Sequence, residues 1–323
     1  MAKYTVVVTD SPFPNKQPYY DALGYLDCEI VFADVSDKNS FLSECARADG
    51  MIVTYADMNA EVISVSKKCK IFARQGIAVS NIDVPKATEA GIFVTNITQA
   101  QVVDVANHTI ALLLVSHKKI VKLHNAVKSG VWDLKLAKPV YCLTGKTLGL
   151  AGFGGIAREV AKRIKMFNMD IIAYDPYVDD AVFEQYGVRR ATFEEVVSES
   201  DYLSVHMPVT EETKNMFSAA QFDAMKEGAY FINTARGGVV DEPALIEALR
   251  ANKIAGAALD VISTEFPEPD HPLFSLDNVV ITPHSAYFSE ECNHALQEGA
   301  AKEVRRVLLG GNPLSVVNKS LLL

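Results

Sequence analysis

Polar groups stand at the ends of short apolar runs throughout the C-terminal half of the chain. Arg236 lies in Asn233-Thr234-Ala235-Arg236-Gly237-Gly238, Asp260 is closely followed by Glu265, and His284 lies in Thr282-Pro283-His284-Ser285-Ala286. An arginine at a strand end can hold a carboxylate through two parallel hydrogen bonds and polarise a neighbouring carbonyl. A hydride added to a ketone builds negative charge on oxygen that must receive a proton, and an imidazole, with an ordinary pKa of ~6.5, is an economical acid for it. A carboxylate beside such a histidine would fix its ring, a part that Glu265 could play beside His284. Each residue also has a plain structural role open to it. Arg236 beside two glycines could close a helix, Asp260 could cap a turn, and Glu265, near Pro267, Pro269 and Pro272, could be an exposed loop acid. Among the other histidines, His108, His117 and His124 fall on a long apolar segment and read as structural or interfacial, His271 and His294 as surface residues. His206, in His206-Met207-Pro208, could line a cleft or start a turn.

The element that would position these groups is the stretch 147–176, which reads as strand, tight turn, helix and second strand. An apolar run ends in Gly152-Phe153-Gly154-Gly155-Ile156-Ala157, the G-x-G-x-x-G/A pattern of a dinucleotide-binding turn. The first glycine permits the turn, Gly154 lets backbone approach a pyrophosphate, and Ala157 is small enough for helix to pack on strand. The anion would then rest on helix N-terminal amides. The second strand ends in Asp175, where a carboxylate accepts hydrogen bonds from an adenosine ribose and repels a 2′-phosphate, so NAD(H) is expected over NADP(H).

At 323 residues the chain exceeds what one core comfortably holds. Apolar residues make up 49% and charged residues 22%, as in globular proteins, and the net charge of −9 offers no basic patch for nucleic acid or an anionic membrane. The N-terminus shows no leader pattern and no apolar run reaches spanning length, so a cytoplasmic protein is expected. The five cysteines are scattered without C-x-x-C spacing and read as free buried thiols, with no metal site. Strands at 4–9, 29–32, 50–54, 70–73 and 92–94 alternate with helices at 40–47, 60–67 and 84–90, the segment 11–18 reads as a Pro-rich loop, and a parallel, flavodoxin-like sheet is expected. One long helix is expected from 102 to about 127. Strands at 202–205, 230–233, 255–260 and 279–282 then alternate with helices at 219–225 and 242–251, and a last helix covers 290–309. The fold class is therefore α/β with two domains. A Rossmann-type doubly wound sheet over 99–288 would bind NAD, and a smaller flavodoxin-like domain would be built from 1–98 plus 289–323.

Taken in order, LGLAGFGGIAREVA, the D-P after the second strand, SVHMPVTEETKNM, FINTARGGVVDEPALIEAL, IAGAALDV and VITPHSAYFSEE make nearly the whole chain similar to the D-isomer-specific 2-hydroxyacid dehydrogenase family. The resemblance implies that Arg236 orients a 2-oxo acid, His284 is the general acid/base and Glu265 tunes it. It implies that Gly152, Gly154, Gly155, Ile156 and Asp175 hold the adenosine half of NAD, while His206, Met207, Thr234, Ala235, Asp260, Ser285 and Ala286 surround the ribose and nicotinamide. It further implies that the loop containing Gly76, Ile77 and Ala78 grips the substrate carboxylate, and that the chain forms a homodimer with the long helix in its interface.

The sequence also departs from the family pattern. Ala78 replaces a usual glycine, Gly155 stands where an arginine or lysine often follows, 96–101 lacks a common Pro-Gly, and Asn107 replaces a common glutamate before His108. Phosphoglycerate-specific members tend to carry basic side chains after the strand equivalent to 51–53, where this chain has Thr54-Tyr55-Ala56-Asp57. The expectation is an NAD-dependent dehydrogenase of a small, uncharged 2-hydroxy acid of the glyoxylate, hydroxypyruvate or pyruvate type. D-3-phosphoglycerate dehydrogenase is the alternative within the class. Tyr287-Phe288-Ser289 also resembles the C-terminal-binding-protein branch, so an NAD-sensing regulatory or scaffold protein is the alternative outside it.

Overall fold

The computed structural model describes residues 3–322; residues 1, 2 and 323, which the expected smaller domain includes, lie outside them. The chain forms two compact units, Met1–Gln101 with Phe288–Leu323, and Val102–Tyr287.

In the first unit β1 (Tyr4–Val8), β2 (Cys28–Phe32), β3 (Gly50–Val53), β4 (Ile71–Arg74) and β5 (Phe93–Thr95) form a sheet of order β2-β1-β3-β4-β5, parallel throughout. Both faces are covered, which is why the strands read as unbroken apolar runs. Val7, Met51, Val53, Phe72 and Val94 point to one side, where α2 (Lys38–Arg47), α3 (Ala60–Val65) and α4 (Val84–Glu89) bring Phe41, Val62 and Ala87. Val6, Val8, Ile52, Ile71 and Ala73 point to the other, against α1 (Gln17–Leu23) and the last helix of the chain, Glu290–Leu308. That helix packs Ala300, Ala301, Val304 and Leu308 onto the sheet.

The segment 11–18 is not all loop, because α1 starts at Gln17 with Pro18 in its first turn, where the missing N–H costs no hydrogen bond. The tail returns as well. Val316 pairs antiparallel with Thr95, and the Asn318 side chain accepts from Val94 N at 2.8 Å and donates to Ile92 O at 2.9 Å. The expectation of buried thiols holds at Cys45, Cys69 and Cys292 but fails at Cys142, which is exposed, and at Cys28, which is half-buried. Burial pushes the Cys45 and Cys69 thiols up to about 12, leaving them inert.

The second unit begins with α5 (Val102–His117) and α6 (Ile120–Lys128). Its sheet comprises β6 (Thr147–Ala151), β7 (Asp170–Tyr174), β8 (Arg189–Arg190), β9 (Tyr202–Val205), β10 (Tyr230–Asn233), β11 (Gly256–Leu259) and β12 (Val279–Ile281), in the order β12-β11-β10-β9-β6-β7-β8 with every pairing parallel. On one face lie α5, α7 (Gly155–Ile164) and α8 (Asp180–Tyr186), packing Ile110, Leu113, Val160, Ile164 and Phe183 over Leu148, Leu150 and Ile171. On the other lie α9 (Phe193–Glu199), α10 (Ala219–Ala224) and α11 (Glu242–Arg250), with Phe193, Phe222 and Leu245 over Leu203, Val205 and Phe231. The helix Glu290–Leu308 already described is α12.

The single helix expected from 102 to about 127 is two helices. Beyond His117, whose Nδ1 meets the Tyr202 hydroxyl at 2.7 Å, the chain turns at Lys119, a left-handed residue with φ 50°. No glycine or proline marks the break. It falls where the covered part of α5 ends, and α6 buries none of its residues. No helix among the described residues is long and apolar enough to cross a membrane.

Candidate functional site

Strand order in the second unit reverses between β6 and β9, and open parallel sheets bind ligands beyond the carboxyl ends of their strands at such a point. The turns after β6 and β9 touch there. Gly152 has φ +98°, and a Cβ on it would lie 2.6 Å from His206 O, so only glycine fits. His206 N donates to Ala151 O, and its Nε2 lies 2.9 Å from Ser204 Oγ. Burial pushes the His206 imidazole down to about 4, so it is neutral at physiological pH. The unfolded chain takes up a proton below ~6.5 that the native ring refuses until about pH 4, so this residue's contribution to stability is lost as pH falls through that window. The Met207 side chain turns inward and joins the core.

The first turn of α7 has an open approach. Its N-cap, Gly154, carries no side-chain cap, and a Cβ there would meet nothing within 4 Å. Gly155 is exposed and Ile156 half-buried beside it, while Ala157 is buried. Asp175, at the end of β7, accepts from Phe153 N at 2.8 Å and from Tyr177 N at 3.0 Å, which pins the carboxylate to the glycine turn. A helix N-terminus with free amides, open space above glycine and a fixed acid on the next strand fit a dinucleotide's pyrophosphate and ribose.

The candidate reactive groups Arg236, Glu265 and His284 follow β10, β11 and β12. Asn233 organises the first loop, accepting from Ala235 N and donating to Arg236 O, both at 2.9 Å. Thr234 Oγ1 lies 2.8 Å from Thr109 Oγ1, joining that loop to α5. Burial pulls the Arg236 guanidinium down from its usual value while the charge of Glu265 opposes the shift. It remains a cation. His284 Nδ1 stands 2.7 and 2.9 Å from the two oxygens of Glu265, so the ring is half-buried and its orientation fixed.

Gly237 is what lets the arginine and glutamate loops meet, because a Cβ on it would lie 1.8 Å from Ile262 O, a backbone atom that cannot swing away. Gly237→Ala should therefore force the two loops apart. We expect a loss of about 2 kcal/mol or more, a fall of several degrees in Tm by calorimetry, and a larger loss in turnover than in cofactor affinity.

Asp260 is 2% exposed and serves as the hub beneath His284. Its carboxylate accepts from Ser285 N and Ala286 N, each at 2.9 Å, and from the Thr282 hydroxyl. Its backbone carbonyl accepts from His284 N at 2.8 Å. These bonds hold His284 in the left-handed region, φ 50°, which a non-glycine residue rarely adopts without such support. Spacing alone did not point to His108 here. Its Nε2 lies 2.9 Å from Thr282 Oγ1 and 3.5 Å from Asp260 Oδ1, bringing α5 to the same turn. Nor is His271 a bare surface residue. Its Nε2 is 3.1 Å from Glu242 Oε1, and Glu242 also accepts from Ser263 N and Oγ, fastening the loop that carries Glu265.

In the first unit Gly76, Ile77 and Ala78 follow β4. Gly76 O accepts from Ile97 N at 3.0 Å and Ile77 O from Asn96 Nδ2 at 2.8 Å, so both carbonyls are fixed by the segment after β5.

Residues 110–286 match the family described as D-isomer specific 2-hydroxyacid dehydrogenase, NAD binding domain. The chain is 42% identical over 81% of its length to a D-3-phosphoglycerate dehydrogenase of Archaeoglobus fulgidus, of which it covers 50%. It is 35% identical over 87% of its length to a glyoxylate reductase of Korarchaeum cryptofilum, of which it covers 86%. Among solved structures it is similar to a glyoxylate reductase from Paecilomyes thermophila, with a TM-score of 0.89 and 26% identity over 99% of this chain and 100% of that one. The chain belongs to the D-isomer-specific 2-hydroxyacid dehydrogenase family, and its second unit carries the NAD-binding domain. It spans about half the length of the phosphoglycerate dehydrogenases it matches.

Proposed function

We propose that the protein reduces a small, uncharged 2-oxo acid to the D-2-hydroxy acid with NADH, reversibly. The observation that carries this reading is the bond from His284 Nδ1 to Glu265, with the Arg236 guanidinium close enough to feel the same carboxylate. Bound NADH supplies the hydride. With Nδ1–H donated to Glu265, Nε2 of His284 is left to give a proton to the developing alkoxide and to take it back in the oxidative direction. Arg236 pairs with the substrate carboxylate in bidentate fashion and polarises the adjacent carbonyl. In the first unit, we assign the loop of Gly76, Ile77 and Ala78 to carboxylate binding and name that unit the substrate domain. The loop 54–57 contains no Lys or Arg, and the amides of Thr54, Tyr55 and Ala56 already donate to Asp10, which favours a substrate without phosphate.

The test is loss of NADH absorbance across glyoxylate, hydroxypyruvate, pyruvate, branched and phosphorylated 2-oxo acids. Phosphohydroxypyruvate as the best substrate would favour the second reading, phosphoglycerate dehydrogenase, which the likeness to the Archaeoglobus fulgidus protein supports. Turnover of none would favour an NAD-sensing regulatory role.

We place the protein in the cytoplasm as a homodimer. Exposed Ile120, Val121, Val127, Trp132, Leu134 and Tyr141 make the stretch through α6 an apolar surface suited to a second copy. Sedimentation equilibrium should give twice the chain mass, and Val121→Glu with Trp132→Glu should shift it toward monomer. A monomeric wild type would remove the assignment.

A further inference from the structure

A cavity of about 600 Å³ opens at the carboxyl ends of β7 and β8 in the second unit, lined by Tyr174, Asp175, Arg190, Thr192, Glu194 and Glu195 among others. Asp175 is the acid assigned to the adenosine ribose, so a 2′-substituent on that ribose would project into this space. The carboxylates are not equivalent. Asp175 is committed to the glycine turn, and Glu195 closes the capping box at the start of α9 through Thr192 N. The one guanidinium of the wall, Arg190, is held on three sides. Its Cζ lies 5.3 Å from the centroid of the Phe183 ring, Nη1 pairs with Asp180 on the first turn of α8, and Nη2 is 3.5 Å from Asp175 O.

This arrangement has a chemical consequence. An arginine beside the ribose acid is the group that accepts a 2′-phosphate, and its planar fork suits phosphate oxygens. Here that charge is already answered by Asp180, whose side chain is 75% exposed and does not line the cavity. An ion pair that open to solvent is weak, and Arg190 is tethered by little else on that side.

Resting on the NAD-binding reading of this unit, we propose that Arg190 is a latent 2′-phosphate ligand and that Asp180, which does not line the cavity, adds to the preference for NADH by holding it. Asp175 repels the phosphate directly, and Asp180 withholds the cation that would offset the repulsion. Cofactor choice is thus divided between two acids, one acting on the ligand and one on the arginine.

Titration of the purified protein with NADH and with NADPH, followed by nicotinamide fluorescence in the absence of any oxo acid, tests this through dissociation constants and needs no turnover. Asp180→Asn should tighten NADPH binding by about two- to fivefold and leave NADH binding as it was. Asp175→Ser with Asp180→Asn should invert the preference. Adding Arg190→Ala to Asp180→Asn should return NADPH affinity to the wild-type value. An Asp180→Asn protein with an unchanged ratio of the two constants, or a gain that survives Arg190→Ala, overturns the proposal. A wild type that binds neither nucleotide overturns the cofactor reading itself. NADH binding retained by Asp180→Asn, alone and with Arg190→Ala, confirms that the site is folded.

Discussion

His284→Ala is expected to lower kcat by ~10²–10⁴, the range that a positioned general acid contributes, while the dissociation constant for NADH changes little. The separation follows from where the residue sits. His284 is fixed by Glu265 on one side and by its own backbone bond to Asp260 on the other, whereas the open first turn of α7 and Asp175 lie after different strands. Stopped-flow reduction of glyoxylate at saturating NADH, with NADH affinity measured separately, checks both halves. Turnover equal to wild type would remove the acid role. A parallel loss of NADH binding would show that the alanine had collapsed the turn built on Asp260, and in that case His284→Gln, which keeps side-chain bulk, is the informative variant.

Arg236→Ala is expected to raise KM and lower kcat together. Hydrogen bonds to a charged partner contribute about 1.5–3 kcal/mol, so kcat/KM should fall roughly 13- to 160-fold. A group that only bound substrate would move KM alone, and one that acted only in the transition state would move kcat alone. Arg236→Lys should recover little, because an ammonium cannot reproduce the planar fork. An unchanged KM for the 2-oxo acid in Arg236→Ala would rule out a carboxylate contact. The position is already tuned by its surroundings, since burial and the Glu265 charge act on the guanidinium in opposite directions.

Local chemistry was the legible part of the sequence. The glycine turn, the apolar strands and Asp175 announce themselves because each must satisfy a constraint within a few residues: a positive φ, two covered faces, an acid at a strand end. The α/β class follows from the same alternation of periods. Long-range relations were not legible. His108 and Thr282 are 174 residues apart in sequence, and nothing in either neighbourhood signals the other. The close approach of Gly237 to Ile262 is likewise visible only once β10 and β11 lie side by side. The break at Lys119 escaped because the residues on either side remain helix formers; what stops α5 is the end of the surface beneath it. The start of α1 escaped for the reverse reason, since Pro18 reads as a breaker but stands in the first turn of the helix, where its missing N–H costs no hydrogen bond.

The return of the C-terminal tail to β5 affects how the molecule behaves in a crowd. A strand at a sheet margin presents a row of amides and carbonyls that any other extended chain can zip onto, the usual seed of fibrous association. Here Val317 N donates to Val94 O while the Asn318 side chain mimics one more peptide group, so the molecule occupies that margin with its own residues 316–318. Self-pairing at this border shields the β5 side of the smaller sheet from strangers without adding a further strand to its core.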